Sequence, residues 1–282
     1  TSGLWSATQV IDNTGNDSGA TLSMAIDHLG RPSIAYYDAT EGDLEYARFD
    51  GKWRKSTIDS KNIAGQFPSL AFDADNNPVV AYYRKTSGDL RVMRHDETQW
   101  VRSEVDIEGN VGTFASLAFS QNGTLGVAYV DGTNGDVKYA QRNGSTWTTE
   151  RVDDLAGTAF LSLAFDNASK PAVSYYDAFN ADLKYATRAS GSWQTEAIAG
   201  RGAVGLYTNL WFDNANQANI VYYNRKSNGV FRVKGGISNW TAETLALGGG
   251  THANAAATLD GDAATYSWFN DAKAKIWTGD LT

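Results

Sequence analysis

The stretch SLAFDADNNPVVAYYRKTSGDLRVMRHDETQWVRSEVD at residues 69–106 decides the fold of this 282-residue chain. It contains four short runs rich in apolar and β-branched residues, and turns rich in Asp, Asn and Gly separate the runs. Such runs predict strands of about five residues, and turns of this composition join antiparallel neighbours. The stretch therefore predicts one four-stranded antiparallel unit.

The same four-part unit recurs along the chain. Its most regular marker is a tryptophan, which returns after 48, 47, 47, 46 and 47 residues. Four-strand repeats of this length are typical of the blades of a β-propeller. The six marker residues are Trp5, Trp53, Trp100, Trp147, Trp193 and Trp240.

The repeats predict an all-β chain that folds as a single six-bladed β-propeller, with four antiparallel strands in each blade. The last unit stops one strand short, and Ser2–Asp12 matches the fourth strand of the other units. We therefore expect this N-terminal strand to complete the last blade and close the ring, which leaves only short edges. The predicted blades span residues 13–59, 60–106, 107–153, 154–199, 200–247, and 248–282 together with 1–12.

Composition narrows the class of partner. The net charge of -8 and the pI near 4.9 oppose binding to a phosphate backbone, so we expect no nucleic-acid partner. The chain has no cysteine, and it has no run of about 20 apolar residues that could cross a membrane as a helix. We therefore expect neither disulfides nor membrane insertion. A polar surface rich in Thr, Ser, Asn and Gly favours a secreted or cell-surface protein.

Repeated positions predict how the blades pack. The first strand of each unit alternates small residues with large apolar ones, and the second strand of four units ends in a tyrosine pair. Successive strand residues point to opposite faces, so each pair should place one ring on each side of its blade. We expect most of these aromatic residues to pack in the core. The pairs are Tyr36 and Tyr37, Tyr82 and Tyr83, Tyr175 and Tyr176, and Tyr222 and Tyr223.

The unit of an aliphatic residue, Tyr-Tyr, a polar loop, Gly-Asp-Leu-x-Tyr, a short turn and Trp resembles the blades of six-bladed fucose-binding lectins over almost the whole chain. The resemblance implies sugar sites between blades, each with an arginine near the second-strand aromatics and a glutamate in the third strand. This chain has aliphatic residues at the arginine positions, and tyrosine or valine at the glutamate positions. These positions hold Ile34, Val80, Val127, Val173 and Ile220, and Tyr46, Val92, Tyr139, Tyr185 and Val233. The resemblance therefore implies the architecture of a propeller lectin without its fucose site.

A second resemblance is to the Asp-box turns of sialidase-type propellers. The pattern Ser-x-Asp-x-Gly-x-Thr-Trp is echoed by residues 143–147, which read NGSTW, and the other blades match it poorly. The Asp box is a structural turn. Sialidase chemistry would need an arginine cluster, a tyrosine nucleophile and a glutamate partner, and no motif in this chain assigns them.

The candidate binding face carries the loops between the fourth and first strands and between the second and third strands. Polar residues follow the second strands there, and aromatic residues approach the first strands. Planar polar groups can bind the hydroxyls of a sugar, and aromatic faces can pack against its C–H surface. The predicted ligand-binding residues are Asp38, Phe67, Arg84, Phe114, Asp131, Phe160, Asp177, Tyr207, Asn224 and His252. The predicted partner is a glycan or polysaccharide.

Three alternatives stay open. The polar residues can serve only as turn formers, since Asp and Asn are common in any tight turn. A polysaccharide lyase or glycosidase acting on acidic polysaccharide could combine His252 as acid or base with Tyr207 and an arginine such as Arg84, and a protein-binding scaffold is a third class. Near-sixfold repetition favours binding over catalysis, because lectins gain avidity by repeating similar sites.

No catalytic residue and no cofactor or metal site is predicted. Calcium stays possible at residues 12–18, which read DNTGNDS and offer two carboxylates without matching a calcium-loop pattern. If Arg84, Trp211 and His252 shared one deep pocket, the enzyme hypothesis would gain.

Overall fold

The computed structural model describes residues 9–13, 15, 17–154, 157–188, 190–199, 202, 204–248, 251–257, 264–270 and 275–281. These residues form antiparallel sheets in which each strand pairs with its sequence neighbours. Within these ranges, no helix is long and apolar enough to cross a membrane. The predicted all-β class and the propeller-like repetition of four-stranded sheets are confirmed.

Five sheets have four strands each, and we number them in chain order. Sheet 1 contains β1 (Ser18–Ile26), β2 (Pro32–Asp38), β3 (Asp43–Phe49) and β4 (Trp53–Asp59). Sheet 2 contains β5 (Ala64–Phe72), β6 (Pro78–Arg84), β7 (Asp89–His95) and β8 (Trp100–Asp106). Sheet 3 contains β9 (Val111–Phe119), β10 (Leu125–Asp131), β11 (Asp136–Asn143) and β12 (Thr146–Asp153).

Sheet 4 contains β13 (Ala159–Phe165), β14 (Pro171–Asp177), β15 (Asp182–Thr187) and β16 (Gln194–Ala199). Sheet 5 contains β17 (Val204–Phe212), β18 (Ala218–Asn224), β19 (Gly229–Gly236) and β20 (Asn239–Leu247). Sheet 6 has three described strands, β21 (Thr251–Ala257), β22 (Ala264–Asn270) and β23 (Lys275–Leu281). Residues 1–8 of the predicted closing strand lie outside the described residues.

The strands are longer than the predicted length of about five residues. The first strands of sheets 1, 2, 3 and 5 have nine residues each, because pairing resumes beyond a bulge that the sequence pattern did not reveal. These bulges shape the centre of the molecule.

The first strands of neighbouring sheets are joined by serine hydroxyls. In each case the backbone N–H of a leucine donates to a serine Oγ of the preceding sheet. The bonds are Leu70 to Ser23 at 3.0 Å, and Leu117 to Ser69, Leu163 to Ser116 and Leu210 to Ser162 at 2.9 Å. The small serine lets the strands approach, and the leucine packs into the core of the preceding sheet.

A second contact between sheets joins a buried tyrosine to a carboxylate. The Tyr129 hydroxyl in β10 donates to Oδ2 of Asp106 at the end of β8, at 2.6 Å, and Lys138 Nζ lies 2.5 Å from the same oxygen. The equivalent bonds are Tyr82 to Asp59 at 2.5 Å and Tyr175 to Asp153 at 2.6 Å. The two tyrosines of a pair thus bond on opposite sides of their sheet. Tyr82 donates to Asp59 of sheet 1, and Tyr83 donates to Asn110, just before sheet 3.

Ionisation strengthens this contact. Burial alone raises the pKa of Asp106, but the hydrogen bonds from Lys138 and Tyr129 outweigh it and hold the pKa below its ordinary value of 3.8. Burial, together with the Asp106 carboxylate, raises the pKa of Tyr129 far above its usual range, so the phenol stays a donor. The carboxylate therefore contributes stability above the unfolded pKa of about 3.9, and this contribution is lost as the pH falls through the lowered folded value.

Three of the marker tryptophans pack against a tyrosine of the preceding sheet. Trp100 contacts Tyr46 of the preceding sheet edge to face, with ring centroids 5.2 Å apart. The pairs Tyr139 with Trp193 and Tyr185 with Trp240 repeat this geometry at 5.5 and 5.1 Å. These tryptophans are packing residues of the sheet junctions.

We predict that Asp106→Ala destabilises the protein by about 3 kcal/mol, because it leaves the buried Tyr129 hydroxyl and the Lys138 ammonium without their carboxylate. Urea unfolding followed by tryptophan fluorescence measures the loss. The exposed Asp75→Ala in sheet 2 is the control and should change the midpoint little. Equal midpoints for wild type and Asp106→Ala would contradict the role of this contact.

Candidate functional site

Four predicted site residues meet at the centre of the molecule. Phe67, Phe114, Phe160 and Tyr207 occupy equivalent positions in the first strands of sheets 2 to 5, and we call them the aromatic collar. Successive ring centroids lie 4.6, 5.7 and 4.3 Å apart. The four aromatic positions that align in the sequence therefore lie side by side in sheets 2 to 5, and their role in ligand binding stays a prediction.

An unusual backbone conformation orients the four side chains of the collar. Each collar residue has a positive φ, at 52, 53, 56 and 54° in chain order. Bulky residues rarely adopt this left-handed conformation, and it costs on the order of 1–3 kcal/mol per residue. In each first strand the residue lies within a break in register, as between Gln66 and Ser69. A bulge of this kind redirects a side chain, here towards the central cavity.

The collar lines a cavity of about 550 Å³ at the centre of the sheets. All four rings are half-buried, so part of each faces the cavity. Sheet 1 contributes Thr21 at the equivalent position, and its Oγ1 accepts the Phe67 N–H at 3.3 Å. Asn209 and Thr208 add polar groups beside Tyr207. The cavity therefore combines an aromatic wall with a few polar groups at one side.

The predicted polar residues at the ends of the second strands take a different position. Asp38, Asp131 and Asp177 are only 2% exposed, and each Oδ1 accepts two backbone N–H groups of the following turn. Asn224 makes the same two bonds to Lys226 and Ser227. This is the turn-forming role that the sequence left open. Ligand binding by these residues stays a prediction, and the burial of the three aspartates argues against it.

Arg84 and Trp211, two of the three residues that would mark an enzyme site, lie away from the collar. Arg84 Nε donates to the Lys61 carbonyl at 3.2 Å, and its Nη1 lies 3.4 Å from Ser87 Oγ. Trp211 is buried in a cluster with Val221 and Tyr223 of its own sheet. Neither Arg84 nor Trp211 lines the collar cavity. The side chain of His252 lies outside the described residues, so the three-residue enzyme site is not assembled from the parts that are described.

No cluster of three or more His, Cys, Asp or Glu side chains in the described ranges could hold a metal ion. At the proposed calcium segment, Asp12 Oδ2 accepts the Tyr36 hydroxyl at 3.0 Å and pairs with Lys55 Nζ at 2.9 Å. These contacts give Asp12 the same role as Asp106. Calcium binding at residues 12–18 stays a prediction.

Sequence reasoning missed a second cavity, of about 560 Å³, at the opposite ends of the first strands. It lies among the turns of sheets 1 to 3 and is lined by His28, Phe72, Arg94, Phe119 and Arg142, among others. It lies among the turns between the first and second strands, away from the predicted binding face. The available signal was a break in the repeat, because Ser120 replaces the aspartate that starts this turn in sheets 1, 2, 4 and 5.

Comparison with known proteins supports the fold and leaves the family open. The sequence matches no family model and no curated protein sequence. Among solved structures, the chain is similar to the lectin of Aleuria aurantia in complex with Fucα1-6GlcNAc, with a TM-score of 0.63 and 12% identity over 93% of this chain and 91% of the lectin. The architecture of a propeller lectin is therefore supported.

Two enzymes share the same architecture. The virginiamycin B lyase of Staphylococcus aureus aligns with a TM-score of 0.66 and 11% identity over 97% of this chain and 84% of the lyase. An α-L-arabinofuranosidase of Fusarium graminearum aligns with a TM-score of 0.61 and 12% identity over 92% and 91% of the two chains. At such identities the likeness shows the fold alone.

We predict that Asp131 acts through its turn rather than through its charge. Asp131→Ala should destabilise the protein by about 2 kcal/mol, because two backbone donors lose their acceptor. Asp131→Asn keeps an Oδ1 acceptor and should cost less than half as much. Thermal unfolding of both variants separates the two roles, and equal losses would contradict the turn assignment.

Proposed function

We propose that this protein is a carbohydrate-binding propeller that holds a glycan against the aromatic collar. The observation that carries the proposal is the collar itself. Four half-exposed rings from four sheets line one cavity, and each adopts a strained backbone conformation to do so. Strain of this kind persists where the surrounding structure imposes it, and it is concentrated at binding and catalytic sites.

The chemistry of the cavity suits a sugar. Aromatic faces bind the apolar C–H surface of a pyranose, and hydroxyl and amide groups at one side bind its hydroxyls. Thr21, Tyr207 and Asn209 supply such groups at the cavity wall. The cavity volume of about 550 Å³ is within the range of small-molecule sites.

The structural neighbours agree with this class of ligand. The Aleuria aurantia lectin is in complex with the fucosylated disaccharide Fucα1-6GlcNAc, and the Fusarium graminearum enzyme is an α-L-arabinofuranosidase. We place binding before catalysis because the three rim carboxylates are 2% exposed and hydrogen-bonded in turns. A secreted or cell-surface location fits a glycan ligand and belongs to the same proposal.

We also propose that six blades close into a ring through the N-terminal segment. Asp12 contacts Tyr36 and Lys55 of sheet 1 much as Asp106 contacts Tyr129 and Lys138 of sheet 3. Gln9 Oε1 accepts Trp53 Nε1 at 3.0 Å, which repeats the bond of Trp193 to Glu150. Residues 9–12 thus dock on sheet 1 as the end of a fourth strand docks on the next sheet.

Sheet 1 also carries the apolar surface that a preceding blade would cover. Met24 is 59% exposed, whereas the equivalent Leu70, which packs on the preceding sheet, is 6% exposed. Leu22 and Ile26 on the same strand are 57% and 53% exposed. Exposed apolar stripes of this kind mark contact surfaces. From the order of the repeats, we propose that sheet 6 packs against this surface of sheet 1.

We predict that Phe114→Gly weakens glycan binding at least about tenfold, which corresponds to roughly 1.4 kcal/mol. Glycine tolerates the positive φ of this position, so the fold should survive while the central ring of the collar is lost. Binding of the labelled wild type to a glycan array, with and without chelator, selects the ligand, and calorimetry then compares the variants.

The matched control is Phe179→Ser. Phe179 is 84% exposed in the turn between β14 and β15, and it lies outside the collar cavity. Its loss should leave the affinity unchanged. Silence of the wild type across the array, or equal affinities for Phe114→Gly and wild type, would refute glycan binding at the collar.

We predict that Asp12→Ala lowers the free energy of unfolding by about 2 kcal/mol, because a nearly buried tyrosine hydroxyl loses a charged acceptor. Urea unfolding followed by both fluorescence and circular dichroism should show one shifted transition. Asp50→Ala, which removes an exposed ion pair with Arg54, serves as the control and should shift it little. An unchanged midpoint for Asp12→Ala would contradict the role of residues 9–12 in closing the ring.

A further inference from the structure

One glutamate joins sheets 3 and 4 by serving two donors. Glu150 in β12 accepts Trp193 Nε1 at 3.2 Å through one carboxylate oxygen. Its other oxygen pairs with Arg188 Nη2 at 3.1 Å. Arg188 and Trp193 both belong to sheet 4, next to each other at the turn between its third and fourth strands. A carboxylate therefore neutralises this arginine and satisfies this indole.

The junction between sheets 2 and 3 repeats both donors without the glutamate. Arg142 and Trp147 of sheet 3 stand at the positions of Arg188 and Trp193, and they face each other in the pairing of β11 with β12. The position of Glu150 is taken by Ser103 in β8. A serine side chain is too short to reach where the carboxylate of a glutamate reaches.

Both donors lack the carboxylate partner that Glu150 provides in the next junction. Trp147 Nε1 is buried and has no hydrogen-bond partner among the described residues, and an unpaired buried donor is destabilising. Arg142 Nε donates to the Gly144 carbonyl at 2.9 Å. Among the described residues, no carboxylate pairs with Arg142, whereas Arg188 has Glu150. An arginine presents a planar fork of donors that matches a carboxylate.

Arg142 lines the cavity of about 560 Å³ among the turns of sheets 1 to 3. The other arginine there, Arg94, is held by Asp73 through two bonds of 3.0 and 2.6 Å. The turn of sheet 3 widens the cavity, because Gly123 stands where sheet 2 has Asn76, whose side chain reaches the turn of sheet 1. Arg142 is thus the cation of the cavity that a ligand can neutralise.

The rest of the lining suits a sugar ring. Phe72 and Phe119 offer aromatic surface, while Asp75 and Gln121 offer acceptors and donors for hydroxyls. We propose that this cavity binds an acidic sugar, a uronic or sialic acid, whose carboxylate binds Arg142 in place of the glutamate that Arg188 has. The site is independent of the collar, because it lies at the opposite ends of the first strands.

The test uses the full chain and a panel of galacturonic, glucuronic and N-acetylneuraminic acid, each beside a neutral counterpart, galactose, glucose or N-acetylmannosamine. NMR titration follows the indole N–H signals, and Trp147→Phe assigns the signal of Trp147. We expect at least one acid to shift this signal saturably while its neutral counterpart does not. Equal shifts by acids and neutral sugars, or none by any acid, would overturn the proposal.

Two variants locate the carboxylate. Arg142→Gln should weaken the acid at least tenfold. Ser103→Glu restores the residue found at this position in sheets 3 and 4, so it should fill the site internally, raise the melting temperature and abolish acid binding. Arg188→Gln is the matched control, because it removes an arginine that is already paired, and it should leave the affinity unchanged.

The outcomes separate this site from the collar. Loss of binding in Phe114→Gly with no effect of Arg142→Gln would assign the acid to the collar and overturn the proposal. Unaltered acid binding by Ser103→Glu would also overturn the proposal, provided that the melting temperature of the variant shows a folded protein. Failure of Phe114→Gly to weaken the binding of any neutral glycan would leave these results standing, since they depend on other residues.

Discussion

The hydrogen bond from a buried tyrosine of one sheet to an aspartate at the end of the preceding sheet sets the spacing of sheets 1 to 4. The bonds of Tyr129 to Asp106 and of Tyr175 to Asp153 show it most completely, because Lys138 and Lys184 neutralise the two carboxylates as well. A sheet cannot slide along its neighbour without breaking this bond and the serine contact near the centre. The first strands are therefore held at a fixed distance from the axis. The collar depends on that distance, since its rings touch only if four separate strands bring them to the same level.

The fold was readable from the sequence because a propeller repeats its contacts. The tryptophan period, the tyrosine pairs and the Gly-Asp dipeptide at the start of the third strand each recur, and such repetition identifies residues with a packing role. The collar was partly readable, because Phe67, Phe114, Phe160 and Tyr207 align. Its conformation was not, since no residue preference predicts a positive φ for phenylalanine. Asp38, Asp131 and Asp177 also align in the sequence, but they align because each forms the same turn and not because they share a binding site.

Repetition also explains why the second cavity escaped notice. A repeat draws attention to what is present in every unit, whereas this cavity arises from what one unit lacks. Ser103, Ser120 and Gly123 are each ordinary strand or turn residues when taken alone. Only the contacts of Glu150 and Asn76 in neighbouring units show which bonds these small residues fail to make. In a repeat protein, comparison of units within one molecule can replace comparison between relatives.

The left-handed backbone of the collar has a consequence for how such a protein can change. Because the bulges are fixed by the ladder on either side, the collar side chains can be exchanged while the strands stay in place. Small residues that accept a positive φ, glycine and asparagine above all, would relax the backbone and widen the central cavity. Among the described residues, the width of that cavity thus depends chiefly on the collar side chains. One scaffold could in this way acquire a series of central cavities graded in width and polarity, each reached by substitutions that do not disturb its sheets.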